Sequence, residues 1–272
     1  MGVNMAIIKR EDGKNIYCEH YAGSKVPVVL IHGWGTSSRV WDTTIASLRS
    51  AGHTVVAFDQ RGCGMSDKDF AQNSIGLGAA DAIAILEHLG IKRAVLNGWS
   101  LGGAIAVETA GRLGGGCAGL VLTAAASPRY VQAPDYSFGG APGSASATVG
   151  IMREDRANFF DGLTKAVCAA PQSTAMNTWM WSLFMQTSPV ADDALAELDV
   201  LDQRAILAKI EAPVLGFVGA KDLVVAPDVC RSIANYAKRC KLVEFENCGH
   251  APFIEEGPKY RAALLDFLNS LN

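Results

Sequence analysis

The sequence predicts an α/β protein built on a doubly wound, mostly parallel sheet, and three observations predict it. Short runs rich in Val, Ile and Leu recur at 26–31, 54–58, 93–97, 119–123, 214–218 and 242–245, as expected of strands buried on both faces. Most are followed by a Gly-containing turn and then a helical pattern, the alternation that builds such a sheet. No repeat with a 20 to 50 residue period is present, which sets solenoids and propellers aside.

Taken in order, runs 7–10 and 15–21 flank Glu11-Asp12-Gly13-Lys14, a turn-forming stretch that predicts an N-terminal antiparallel hairpin. Helices are expected over 40–49, 74–89, 101–112, 227–237 and 258–268. In the second of these, Ile75, Ala79, Ala82, Ile83, Leu86 and Leu89 fall at three- and four-residue steps and form one apolar stripe. The stretch after Ser127 breaks the alternation. It opens with Ser127-Pro128, Ala133-Pro134 and Gly139-Gly140-Ala141-Pro142-Gly143-Ser144, then continues with helix-like runs at 152–167, 176–187 and 191–198. With no sheet strand in it, residues 128–199 are expected to form a helical lid inserted into a core of residues 1–127 and 200–272.

Composition narrows the function. The 272 residues are 49% hydrophobic and 19% charged, ample for a core and too apolar for a disordered chain. Twenty-four Lys and Arg against 27 Asp and Glu give a net charge of −3, which supplies no electrostatic reason to bind nucleic acid or an anionic membrane. Met1-Gly2-Val3-Asn4-Met5-Ala6 carries neither an export-signal pattern nor a myristoylation motif. No apolar run approaches the roughly 20 residues of a membrane span. A soluble protein is expected. The seven cysteines include no Cys-x-x-Cys and no zinc spacing, so they read as free buried thiols in a reducing cytoplasm, with no metal site.

The chemistry concentrates at Gly98-Trp99-Ser100-Leu101-Gly102-Gly103, the one G-x-S-x-G of the chain. It stands where a strand meets a helix, the setting a nucleophile elbow requires. A serine there is pushed out of the sheet at a helix N-terminus, with the Leu101 amide pointing at any oxyanion formed beside it. Serine needs a base. Of five histidines, His20, His53 and His88 fall on the hairpin, before a strand and late in a helix. His32 reads as support for the loop that follows it. His250, in Cys248-Gly249-His250-Ala251-Pro252-Phe253, lies past the last strand at the C-terminal sheet edge, where α/β folds place their sites.

A base of this kind needs a carboxylate partner. No acid follows strand 119–123 before Asp135, whereas Gly219-Ala220-Lys221-Asp222 places one after the penultimate strand. Asp222 is the candidate, with a turn or helix-capping role as the competing reading. The loop His32-Gly33-Trp34-Gly35 is expected to supply the second oxyanion donor, the Trp34 amide. Trp34 and Trp99 are assigned to the acyl pocket or to packing. Helix 176–187 carries Met176, Trp179, Met180, Leu183 and Phe184 on one stripe. With Phe159 and Phe160 it is expected to line an apolar pocket over Ser100 for short- to medium-chain acyl groups.

The elbow, the His-Gly-Trp-Gly loop, Phe58-Asp59-Gln60-Arg61-Gly62-Cys63-Gly64-Met65-Ser66-Asp67 and Gly249-His250-Ala251-Pro252-Phe253 together resemble the α/β-hydrolase superfamily over residues 1–127 and about 200–272. In detail they are similar to pimeloyl-carrier methyl ester esterases, acyl-homoserine lactonases and non-haem haloperoxidase-type esterases. The resemblance implies a cofactor-free serine hydrolase acting on a small-molecule ester or lactone, or a perhydrolase using the same triad. Serine at the elbow sets apart the branches whose nucleophile is Asp. Two rival readings stand beside it. Gly33-x-Gly35-x-x-Ser38 with Asp59 is a near miss of a dinucleotide fingerprint, with Ser38 for the third Gly and Trp34 where a pyrophosphate would approach. The other is a hydrolase-like receptor that senses a ligand without turning it over.

Overall fold

The computed structural model describes residues 3–10 and 13–271. Glu11 and Asp12 of the expected hairpin turn lie outside them. Eight strands form one sheet: β1 Val3–Lys9, β2 Asn15–Tyr21, β3 Lys25–Ile31, β4 His53–Phe58, β5 Ala94–Trp99, β6 Cys117–Thr123, β7 Val214–Gly219 and β8 Cys240–Phe245. Their order is β1-β2-β4-β3-β5-β6-β7-β8. The β1–β2 and β2–β4 pairs are antiparallel and all others parallel. Every residue of β4, β5, β6 and β7 is buried, which is why these strands read as continuous apolar runs rather than alternating ones.

The first two helices are α1 Asp42–Ser50, after a single 3-10 turn at Ser38–Trp41, and α2 Ile75–His88. The Ser74 side chain caps α2 by accepting from the Leu77 amide at 3.0 Å, one of the orphan donors of a helix start. Helix α3, Leu101–Leu113, begins immediately after Ser100. Between β6 and β7 run α4 Ser144–Glu154, α5 Arg156–Ala166, α6 Thr174–Met185, α7 Ala191–Ala196 and the short α8 Arg204–Leu207. The expected single helix 152–167 is therefore two. Asp155 leaves helical geometry at φ −146° and ψ 77°, and its side chain accepts from the Asn158 amide to start α5.

The two ends of this helical insertion meet. The Gln203 amide donates to the Pro128 carbonyl at 2.9 Å, and the Gln203 Nε2 reaches the Ala104 carbonyl of α3 at 2.8 Å. The remaining helices are α9 Pro227–Ser232, which passes into a 3-10 turn at Ile233–Asn235 rather than running on to 237, α10 Pro252–Glu255 and α11 Gly257–Asn269. Among the described residues no helix is long and apolar enough to cross a membrane.

Strand β3 has β4 on one side and β5 on the other. The chain thus turns opposite ways after β3 and β5, which opens a crevice at their carboxyl ends, the usual ligand position in such sheets. Register places Ile31 beside Gly98, so the loops carrying Trp34 and Ser100 leave the sheet as neighbours.

Candidate active site

The elbow is tight because its neighbours leave no room for side chains. A Cβ on Gly98 would lie 2.1 Å from the Gly102 carbonyl oxygen, and one on Gly102 would lie 2.3 Å from that of His32. Ser100, between them, sits at φ 57° and ψ −124°, a left-handed conformation that costs a side-chain-bearing residue about 1–3 kcal/mol. Its backbone is pinned on both sides: its amide donates to the Thr123 carbonyl at 3.0 Å, and its carbonyl accepts from Ala126 at 3.0 Å. Beneath it, Asn97, Thr123 and Tyr260 form a buried hydrogen-bonded triangle, with the Asn97 Nδ2 donating to the Tyr260 hydroxyl at 2.9 Å.

His250 and Asp222 are 2% and 6% exposed. The His250 Nδ1 stands 2.8 Å from the Asp222 Oδ2. The other carboxylate oxygen accepts from the amides of Val224 at 2.8 Å and Val225 at 3.0 Å. The acid is thereby both oriented and charge-compensated, and it leaves the imidazole Nδ1–H donating to it, with Nε2 carrying the lone pair. Asp222 makes the turn contacts that the competing reading foresaw and also holds His250. His250 in turn donates its amide to the Val167 carbonyl of the insertion at 2.8 Å. The Trp99 ring lies 5.3 Å from the imidazole, centroid to centroid.

The other histidines are accounted for differently. His32 accepts from the Gln60 amide at Nε2, 3.0 Å, and donates from Nδ1 to the Gly33 carbonyl at 2.8 Å. Burial lowers its pKa and keeps it neutral. It therefore fixes the loop that carries Trp34, as expected. Asp59, which the dinucleotide reading would turn toward a ribose, spends both carboxylate oxygens on the amides of Ser38 and Met65, each at 2.7 Å.

Ser100, His250, Trp34, Leu101 and Trp99 line one cavity of about 70 Å³. The amides of Trp34 and Leu101 make no hydrogen bond to any described protein group. Phe159 and Phe184 join the lining from the insertion. Two expected pocket residues do not. Phe160 stands one layer behind, fully buried, its ring stacked on Phe184 at 5.3 Å and 5.8 Å from Trp34. Trp179 faces a separate surface groove with Arg39, Met176 and Phe253. The apolar stripe of this helix is wide enough to serve both sides, and only Phe184 of it reaches the cavity.

Lining residues that the sequence did not single out include Tyr130, Leu163, Val167, Leu198, Val224 and Val225. Val224 and Val225 were the most readable of them, as an apolar pair directly after the acid. Tyr130 donates its hydroxyl to the Val224 carbonyl at 3.1 Å, and burial together with the charge of Asp222 raises its pKa, so it stays a neutral wall. Among the described residues, no group of three or more His, Cys, Asp and Glu could hold a metal ion.

A family model described as alpha/beta hydrolase fold matches residues 26–257. The chain belongs to the α/β-hydrolase family. This hydrolase is 32% identical over 247 residues to a pimeloyl-[acyl-carrier protein] methyl ester esterase of Neisseria meningitidis, covering 90% of this chain and 94% of the relative. It is 26% identical to a bifunctional esterase/perhydrolase of Acinetobacter calcoaceticus, covering 98% of this chain and all of the relative. The solved structure of an esterase from Exiguobacterium antarcticum superposes with a TM-score of 0.92 at 26% identity, covering 97% of this chain and 99% of that one. The relatives of this hydrolase thus include esterases and a perhydrolase.

Proposed function

We propose that this α/β hydrolase cleaves carboxylic esters with short- to medium-chain acyl groups through Ser100, His250 and Asp222. One observation carries the reading: the Asp222-bound His250, at 2.8 Å, shares a single apolar cavity with a serine held at φ 57°. His250 Nε2 takes the Ser100 hydroxyl proton as Oγ bonds to the ester carbonyl carbon. The carbonyl electron pair moves to oxygen, which the Trp34 and Leu101 amides hold; one such donor is worth about 3 kcal/mol of barrier. Collapse expels the alcohol, which leaves with the proton from His250. Water then repeats the sequence on the acyl-enzyme and releases the carboxylic acid.

The cavity favours the short end of the range. At roughly 10–15 Å³ for one water-sized group, its volume of about 70 Å³ takes about five. Residues 128–199 act as the lid that closes it, and the seven thiols, six of them buried, suit a reducing cytoplasm. Hydrolysis of p-nitrophenyl esters with acyl chains of two to twelve carbons tests the proposal. Turnover should be highest at the short end and disappear in Ser100→Ala; turnover that survives this substitution overturns the assignment.

The 26% identical esterase/perhydrolase favours a second reading on the same residues. Hydrogen peroxide in place of water would attack the acyl-enzyme and release a peroxy acid. Peroxy-acid formation from a short acyl ester and peroxide, measured beside hydrolysis, separates the two.

A further inference from the structure

The stretch Gly249–His250 makes few hydrogen bonds within its own loop. Its polar backbone atoms reach three outside groups: the His250 amide goes to Val167, the His250 carbonyl accepts from the Trp99 indole, and the Gly249 amide goes to Glu255 Oε1 at 2.6 Å. Glu255 does more than hold that amide. Its second oxygen, Oε2, accepts from the amides of Ala169 at 2.7 Å and Ala170 at 3.1 Å. These lie in the connection between α5 and α6, in the insertion. The same connection is pressed onto the histidine loop, since a Cβ on Gly249 would lie 2.8 Å from the Ala169 nitrogen. Val167, at its start, lines the cavity.

From this we infer that Glu255 is a positioning residue: one carboxylate clamps the insertion to the loop that carries His250, so the acyl wall and the base are set as one body. The inference rests on the proposed function only for what the base does; the clamp itself is geometric. A carboxylate suits the task because all three partners are donors, and an ionised carboxyl has acceptor sites for each. A glutamine offers one acceptor oxygen and turns an N–H₂ group toward amides that also donate. It can satisfy one side of the clamp and not both.

Glu255→Gln and Glu255→Ala, with Glu246→Gln at an exposed position as control, test the inference by two independent readouts. Hydrogen exchange needs no substrate. The amides of Ala169, Ala170, Gly249 and His250 should exchange at least tenfold faster in Glu255→Ala, those on one side of the clamp should do so in Glu255→Gln, and none should change in the control. Unaltered exchange overturns the clamp. In ester turnover, the kcat for p-nitrophenyl acetate should fall about tenfold in Glu255→Ala and less in Glu255→Gln, with KM within twofold. The preference for acetate over hexanoate esters should shrink severalfold, because the wall at Val167 is released with the base. A loss equal for all chain lengths, with titrated active sites falling in proportion, marks a folding effect and overturns the positioning role. Should the alanine variant not fold, the near-isosteric glutamine decides. A parent enzyme with no ester turnover would defeat the proposed function while the exchange readout still judges the clamp.

Discussion

The indole N–H of Trp99 donates to the backbone carbonyl of His250 over 2.7 Å. The residue before the elbow serine therefore holds the loop that carries His250, and the same ring meets Phe253 edge-on at 5.1 Å and fills the space over Gly33. Three loops that must agree in position converge on one side chain. Trp99→Phe keeps the aromatic contact and removes the donor, leaving a buried carbonyl unpaired at a cost of about 1–3 kcal/mol. We expect about a tenfold lower kcat on a short acyl ester and a lower melting temperature. An unchanged kcat would refute the coupling.

Asp222→Asn offers one acceptor where two oxygens now serve the His250 ring and the Val224 and Val225 amides. The imidazole loses its preferred tautomer. The expected outcome is a fall in kcat of about 10⁴-fold with the fold retained, read from steady-state kinetics beside circular dichroism.

Ser100→Gly removes both the proposed nucleophile and the side chain that strains the φ of 57°. The variant should be inactive yet more stable, by about 1 kcal/mol, or a rise of about 2–4 °C in melting temperature. A lower melting temperature would show that the elbow stores no strain.

Phe159 is a half-buried wall of the cavity, its ring 5.6 Å from that of Phe160. Phe159→Ala should lengthen the preferred acyl chain by about two to four carbons, since each added methylene needs one small group's worth of space. Acetate turnover should change little. If the chain-length profile stays put, the acyl group lies elsewhere.

Asp192 is fully buried on α7, and burial raises its pKa against the opposing pull of Arg156 and Arg153. The folded chain thus holds this proton more tightly than the unfolded one. Its stabilising contribution is complete below the unfolded carboxylate pKa and is lost as pH rises through the folded value. At pH 7 the parent carries that cost. Asp192→Asn should melt about 2–4 °C higher there, with the gap closing as pH falls toward about 4. A gap that is constant with pH would contradict this.

The sheet was readable because each buried strand is an apolar run of five to seven residues bounded by turn residues, and the elbow because glycines that admit no Cβ bracket a serine. His250 and Asp222 could be placed by chain position at the carboxyl edge. The insertion was harder. Helical periodicity marks a stripe without saying what it faces, so Phe160 and Trp179 were expected in the cavity, whereas one lies behind its wall and the other across the helix. The break at Asp155 was hidden because its side chain, not a Gly or Pro, ends one helix and begins the next. Glu255 had no signal at all, since its partners are backbone amides, two of them more than eighty residues away.

The insertion leaves at Pro128 and returns at Gln203, two residues joined by a hydrogen bond of 2.9 Å. A segment whose ends already touch can be exchanged for another without stretching the sheet beneath it. Under the proposed function, specificity would then be modular, a cassette set on a fixed engine. A graft of residues 128–202 from a long-chain hydrolase would have to bring amides placed to meet the Glu255 of its host.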